Sequence, residues 1–591
     1  MNGRQLAITG LLVFAGLCGC NGGGSSGPPP PPLPAAAPAI ASISPTSATA
    51  GSAGFTLTVT GSNFMSGASV VWSNPGNPGF VGGPATFGSA TQLSLQISAA
   101  NIAIPGTVQV KVVNLDSSTS NVVNFQIEPS TGGNAQLVSA AANGGTPNGN
   151  SHDPVLSFNG RFVAFSSEAT NLVSPNTVFA EAYVHDTCLG SSVACTPTTL
   201  LASAINGGPV SNPSEGNGLG GATPSIGSQF FLPPSGSGNP PSGRFIGFLS
   251  TANNLVSPMT NFQQAFLRDT CFGPGAPAGC IPITVLASVT QVSQEPNGPA
   301  SEFVMASNTC AGAYVSSGTN LVSGVNTANQ VYVATCGFVG AVLSTFQSAT
   351  LVSAGNLGNA GDQGGSQPAI NADGLFVAFA SRSTNLTNTA SGGNQQIYVR
   401  FTCLDSASGC MPSTTMVSVD NSGNAQSGDS IFPAISDDGR FVTFTTQAPA
   451  VGGGVTSDVF IHDTCNSTAG PVGGCTPSTT PISVAANGGA GNGPSTSGRH
   501  AVSGDGRFVA FSSSATNLLT AGNPAAQVFV RDTCKSSSGN VVGCTPITFL
   551  VSSSNGGAIG GFNAAISFDG HFVAFENETA IFQIFVAATG F

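Results

Sequence analysis

Charge is what this sequence has least of. Only 6% of its 591 residues are Asp, Glu, Lys or Arg, and twelve basic residues stand against 24 acidic ones for a net charge of -12. An acidic surface repels phosphate backbones, so nucleic acid is excluded as a partner. Beyond the N-terminus there is no apolar run long enough to span a bilayer, which excludes a polytopic membrane protein. Long helices are also excluded, because 79 Gly and 40 Pro make one residue in five a breaker of regular backbone. No Gly-x-Ser-x-Gly elbow, His-Glu-x-x-His helix or phosphate loop stands in a suitable context. No catalytic residue and no cofactor is therefore assigned. What remains is an exported all-β chain with room for two to four domains.

The first twenty residues read as an address. Arg4 supplies the positive charge and Leu6 to Leu17 a short apolar stretch, the layout of a signal peptide over residues 1–20. It ends in Leu17-Cys18-Gly19-Cys20, which resembles the lipobox of bacterial lipoproteins. The resemblance implies cleavage before Cys20, acylation of its thiol, and a membrane-anchored place in the bacterial cell envelope, periplasmic or surface-exposed. Residues 21–38, a Gly/Ser run followed by Pro28 to Pro32, cannot bury a core and read as a tether, flexible and then stiff.

Over residues 39–128 apolar side chains alternate with period two, as in Phe55, Leu57, Val59, then Val108, Val110, Val112, then Phe125 and Ile127. That is the pattern of half-buried antiparallel strands in a sandwich. Ile40 to Pro45, Leu57 to Phe64 and Pro105 to Val112 resemble the IPT/TIG branch of Ig-like domains, in which such modules are spacers or binding domains. Trp72, the only Trp, is assigned to the core or rim of this sandwich.

Repetition governs residues 135–591. Aligned copies place an aromatic at Phe165, Phe248, Tyr314, Phe379, Phe444, Phe511 and Phe575, at successive spacings of 83, 66, 65, 65, 67 and 64. The long first spacing is assigned to a Gly/Pro/Ser-rich surface loop between Asn206 and Pro241. Each copy offers four strand segments, with Asp-Gly or Asn-Gly turns such as Asn159-Gly160 and Asp505-Gly506 supplying the positive φ of a tight hairpin. These residues resemble the WD-like repeats of TolB-like β-propellers, and the resemblance implies a closed seven-bladed ring. The last copy lacks its closing Leu-Val-Ser segment, and Leu137-Val138-Ser139 precedes the first; the first strand is expected to complete the last blade and remove its open edge.

Twelve of the cysteines fall into pairs. Cys188/Cys195, Cys271/Cys280, Cys403/Cys410, Cys465/Cys475 and Cys534/Cys544 recur at one place per copy. In an exported chain they are expected to be disulfides rather than zinc thiolates, which need four converging ligands. Cys310 and Cys336 depart from the pattern and are expected to bridge two adjacent strands. No metal site is assigned, for the loops between second and third strands, such as Ser174 to Ala180, hold no carboxylate for calcium. His185 and His462 share a slot with Arg268, Arg400 and Arg531, and His571 shares one with Arg161, Arg244, Arg440 and Arg507. Both slots, and the recurring Asp186, Asp269, Asp463 and Asp532, are assigned to structure. The function expected is a non-catalytic binding or scaffold module for a protein or glycan. Its alternatives are a propeller lyase or hydrolase working in the funnel, which needs charged residues from several blades on one face, and a TolB-like partner in an envelope complex.

Overall fold

The computed structural model describes residues 36–590 except 50–53, 75–76, 98, 103–105, 129–134, 190–194, 208–224, 228–242, 274–275, 277–278, 326–328, 340–341, 405–408, 448–456, 521, 542–543, 555–556 and 579. Cys20, the signal segment, all but the end of the tether, and most of the Asn206–Pro241 segment lie outside the described residues. The described residues are all-β apart from one short 3-10 turn at Ala99–Ile102.

The N-terminal module consists of two sheets. One joins Ala39–Ser44, Phe55–Ser62, Gln92–Ile97 and Thr86–Ser89; the other joins Ser47–Thr49, Val123–Glu128, Gly106–Val113, Ser69–Asn74 and Asn77–Pro84. Alternation delivers Leu57, Val59, Val70, Leu93, Val108, Val110 and Ile127 into one core. Trp72 belongs to that core, with its ring 4.9 Å from that of Phe125.

After residue 135 the chain forms seven four-stranded antiparallel sheets: I within 151–201, II within 225–286, III within 300–351, IV within 366–416, V within 430–481, VI within 495–550, and VII within 562–588. The fourth strand of sheet VII comes from the other end of the repeats. Gln136–Leu137 pairs with Phe582–Ala588, setting Gln136 beside Val586 and Leu137 beside Phe585. A side-chain contact repeats this join in every sheet. The Ser of the Leu-Val-Ser type segment accepts a third-strand N–H, from Ala182 to Ser203, Ala265 to Ser288, Val331 to Ser353, Ile397 to Ser418, Val459 to Ser483 and Val528 to Ser552. In sheet VII Ile584 N donates to Ser139 at 3.0 Å across 445 residues.

Each aligned aromatic stacks on a third-strand aromatic at 5.6–6.0 Å, from Phe165 on Tyr183 to Phe575 on Phe585. Such cross-strand pairs contribute about 0.5–1.5 kcal/mol each beyond area burial. Neighbouring sheets interlock at the hairpin turns. The backbone N–H of Asn308 donates to Ala372 O, Ala372 to Asp437 O, Asp437 to Gly504 O, Gly504 to Phe568 O, and Asp569 to Phe158 O, which ties sheets III, IV, V, VI, VII and I in order. First strands of sheets I and II, and of II and III, lie in contact as well.

One expected feature needs correction. The Asn206–Pro241 segment is not wholly a loop, because Ser225–Gly227 within it is the first strand of sheet II, paired with Phe245–Ser250. Strand propensity there is hidden by Gly and Ser, and pairing to an apolar partner strand decides the outcome.

The turn glycines carry both a conformational and a packing demand. Gly506 has φ +79°, and a Cβ there would run into the Phe441 ring of the preceding sheet. Gly506→Ala is expected to destabilise the repeats by about 2–4 kcal/mol, from the left-handed backbone and the overpacking together. Thermal unfolding by circular dichroism checks this.

Candidate functional site

Two constructions recur in the sheets, one at the strand ends and one at the channel. At the strand ends, Arg161, Arg244, Arg440 and Arg507 each make two parallel hydrogen bonds to Asp186, Asp269, Asp463 and Asp532, at 2.7–2.9 Å. Each guanidinium also lies over the next Phe, at 4.7 Å for Arg244 on Phe245. The same Asp accepts the N–H of the Cys two residues on, at 2.8–3.0 Å. That Cys is left-handed, with φ of 54–61°, so the chain turns sharply into the loop that its disulfide closes. In sheet III Cys310 takes the Arg place and Cys336 stands one residue beyond the Asp place, opposite it, and the two are bonded to each other, with Cα atoms 5.1 Å apart.

The other five pairs, Cys188–Cys195, Cys271–Cys280, Cys403–Cys410, Cys465–Cys475 and Cys534–Cys544, are disulfides with Cα separations of 5.5–5.9 Å. Six bridges mark an oxidising compartment, periplasmic or extracellular. Four of them lie beside an Asp, as Cys271 and Cys280 beside Asp269. Both sulfurs are shared within the bridge, so no thiolate remains for a metal. His185 and His462 each bond a fourth-strand Thr at 2.9 Å, and burial pushes both down to about 4, leaving neutral imidazoles. Arg268 is buried with carbonyls and Thr284 as its partners, and burial lowers it to about 10.

First strands of sheets I and III to VII line a narrow channel, with Val155, Val304, Ile370, Ile435, Val502 and Ile566 among its residues, and its bore of about 90 Å³ holds a few waters at most. At one mouth every described first strand except that of sheet VI and the short one of sheet II bulges at a left-handed residue: Asp153, Glu302, Gln367, Phe432 and Asn563, with φ of 51–54°. Backbone held this way costs about 1–3 kcal/mol per residue and persists only where its surroundings fix it. Here the neighbours fix it: Gln367 N–H donates to Glu302, Phe432 N–H to Gln367 Oε1 at 2.8 Å, and Asp153 N–H to Glu576 Oε1 at 3.0 Å. Sheet VI carries a longer bulge between Ser497 and Val502. Gly498 lies so close to Ala564 O that a Cβ would collide, and the bulge sends Arg499 to Glu302 at 3.2 Å.

The result is a pocket of about 470 Å³ rimmed by Asp153, Phe432, Arg499, Phe562, Asn563 and Glu576. Glu576 also accepts from Asn563 and pairs with His152 Nδ1 at 3.0 Å. Burial and then the Glu576 charge push Asp153 up to about 6, with Arg499 opposing. Arg499 Nη1 is buried with no partner among the described residues.

At the opposite end of the channel, burial pushes Asp437 up to about 7, against a bond from Ser307. A raised acid favours folding below its unfolded value near 3.8, and that contribution is lost as pH rises through about 7. Asp437→Asn, a match for the protonated form, is therefore expected to melt somewhat above the parent at pH 5 and further above it at pH 8.5. His185, His462 and His500, all held neutral down to about 4, act in the opposite sense below 6.5, equally in both proteins. Equal melting temperatures at both pH values would contradict the assignment.

The mouth meets the requirement stated for a funnel enzyme. Charged residues from sheets I, III, VI and VII do meet on one face, although so few were available. The signal is present in the sequence: six residues before each turn Asp or Asn the copies carry Asp153, Glu302, Gln367, Phe432 and Asn563, four of them polar and just ahead of the apolar end of the strand. Arg499 stands at the same spacing, six residues before Asp505, in a strand whose bulge is longer than in the other sheets.

The chain is thus an Ig-like module followed by repeated four-stranded sheets with a polar channel mouth. Residues 38–127 match the family described as IPT/TIG domain. No curated protein matches. Among solved structures, an oligogalacturonate lyase in complex with manganese is similar at 10% identity and TM-score 0.39, over 78% of this chain and 98% of that one. A Trypanosoma rangeli sialidase is similar at 8% identity and TM-score 0.30, over 78% and 58%, and an ancestral GH74 enzyme at 9% and 0.33, over 90% and 71%. Likeness this slight carries no substrate or reaction across to this chain.

Proposed function

We propose that this is a lipid-anchored protein of the bacterial cell envelope, in which a tether and an IPT/TIG spacer hold a closed, TolB-like seven-bladed β-propeller that binds a macromolecule or glycan without transforming it. The observation that carries the binding reading is the mouth pocket, where Arg499 Nη1 lacks a partner beside two half-buried Phe rings while the carboxylates around it are already hydrogen-bonded within the protein. An Arg with one free donor face and aromatic neighbours suits an oxygen-rich ligand with an apolar face. Arg499→Lys keeps the charge opposite Glu302 but removes the fork. It is expected to abolish capture of ligands from a glycan and envelope-protein panel while leaving the melting temperature unchanged; equal capture by both proteins would count against the mouth. Anchoring rests on the Cys20 lipobox, and mass spectrometry of the mature N-terminus is expected to find acylated Cys20. An unmodified N-terminus further downstream would contradict it.

The adjacency of Asp153 and Glu576 favours a second reading, an acid-assisted lyase or hydrolase at the same mouth, because Asp153, pushed up to about 6, is suited to hold a proton beside a second carboxyl. Turnover of a glycan below pH 6 that disappears in Asp153→Asn would establish it over binding alone.

A further inference from the structure

A separate cavity of about 700 Å³ lies at the seam between sheets VII and I, far along the fourth strands from the mouth pocket, with Leu137, Ala141, Leu172 and Leu200 among its walls and His185 and Thr199 among its polar groups. Its origin is legible in how other seams are filled. Where sheet I meets II, III meets IV and IV meets V, an Asn after one sheet's fourth strand accepts the N–H of a Thr in the next: Asn206 from Thr284, Asn356 from Thr414, Asn421 from Thr479, at 2.5–2.7 Å. The same Thr hydroxyls donate to Ala204, Ala354 and Val419 carbonyls. At the first two of these seams Arg268 or Arg400 adds a guanidinium to that carbonyl.

At the VII–I seam two departures coincide. The segment Ser139-Ala140-Ala141-Ala142-Asn143 has one residue more between Ser and Asn than Ser203-Ala204-Ile205-Asn206. Asn143 accordingly turns back onto Gly145 N at 2.9 Å and does not reach Thr199. The Arg of sheets II and IV is His185 here, too short to cross, with Nδ1 on Thr199 Oγ1. The V–VI seam shares the later Asn, with Asn487 turned onto Gly489 in the same way, but there Arg531 extends to Thr548. Among these seams, only VII–I combines the later Asn with the shorter side chain; its turn keeps the common register, with Ala142 in the place of Asn356 and Asn421.

We propose that this seam is a binding site for the acetamido group of an N-acetylated sugar. Thr199 N–H faces the place that an Asn carboxamide oxygen takes at three other seams, so the natural visitor presents an amide oxygen. The methyl of an acetamido group would meet the Leu and Ala walls, and sugar hydroxyls would meet His185 Nε2, Ser174 and Asn176 at the rim. The imidazole is neutral there, so no anion is required of the ligand. A volume of about 700 Å³ is within the usual range for small-molecule sites and admits a di- or trisaccharide. The site is independent of Arg499 and of the mouth.

Isothermal titration of the purified protein with N-acetylglucosamine trimer, against glucose trimer as control, tests this. Binding of the acetylated trimer alone is expected. His185→Arg installs the residue that fills sibling seams, so it is expected to fold and to weaken binding about tenfold or more, the value of 1.4 kcal/mol in lost contacts. His462→Arg, the same exchange in sheet V, is expected to bind as the parent does. No heat with the acetylated trimer, equal binding of the glucose trimer, or undiminished binding by His185→Arg would each overturn the proposal. Loss of binding in Arg499→Lys with retention in His185→Arg would assign the sugar to the mouth instead.

Discussion

Deleting residues 135–140 is expected to unfold the repeats while leaving the IPT/TIG module intact. The segment is six residues long, yet Val138 and Ser139 are buried and Val138 joins Leu156, Phe165, Ile584 and Val586 in one core cluster. Its removal exposes that cluster, at about 1.5–3 kcal/mol for a buried Val alone. It also strips Ile584 of both backbone bonds that face the strand, to Val138 N–H and Ser139 Oγ. A buried group left unpaired costs about 1–3 kcal/mol each. Together these losses are comparable to the 5–15 kcal/mol, roughly, that holds a domain folded. In a two-step melt the sandwich transition should survive, because its core is its own, and the larger transition should vanish or fall far below the parent's. Ser139→Ala, which removes one hydrogen bond, is expected to cost about 1 kcal/mol.

The second large effect concerns the deepest of the Arg–Asp forks. Arg244 and Asp269 have side chains only 3% and 2% exposed. Asp269→Ala is expected to destabilise the repeats by about 3–5 kcal/mol, because an uncompensated guanidinium stays buried against Phe245. It also removes the acceptor that holds Cys271 N–H at the turn into its disulfide loop. The paired exchange Arg244→Met with Asp269→Leu is expected to recover most of that loss, since two charges leave together. Denaturant titration of both variants measures the difference. Equal losses in the single and double variants would mean that the turn contact, and not the charge, carries the effect.

The way the repeats were legible follows from their physics. A stacked aromatic pair, a turn glycine against a neighbouring Phe and a Ser on a strand amide are each local or nearest-neighbour demands, so they recur at fixed spacing and register in one sequence. The Cys310–Cys336 bridge was readable for the same reason, as two departures at facing positions of one hairpin. The mouth was not, because its members meet across sheets 65 to 424 residues apart through side chains on bulged backbone. Bulges leave no mark in an apolar strand beyond one polar residue at a repeated place. Ser225–Gly227 was missed because a strand made of Ser, Ile and Gly is specified by its partner and not by its own composition.

The central claim is that both ends of the repeats meet in one sheet, and amide hydrogen exchange of the segment 135–140 tests it most directly. Val138 N–H donates to Ile584 O at 2.8 Å inside a buried cluster. The peptide covering it is expected to exchange as slowly as the third strands of sheets I to VI, and Phe582–Ala588 is expected to be protected to the same degree. Exchange of 135–140 within seconds, with Phe582–Ala588 fast along the edge that faces it, would contradict the account.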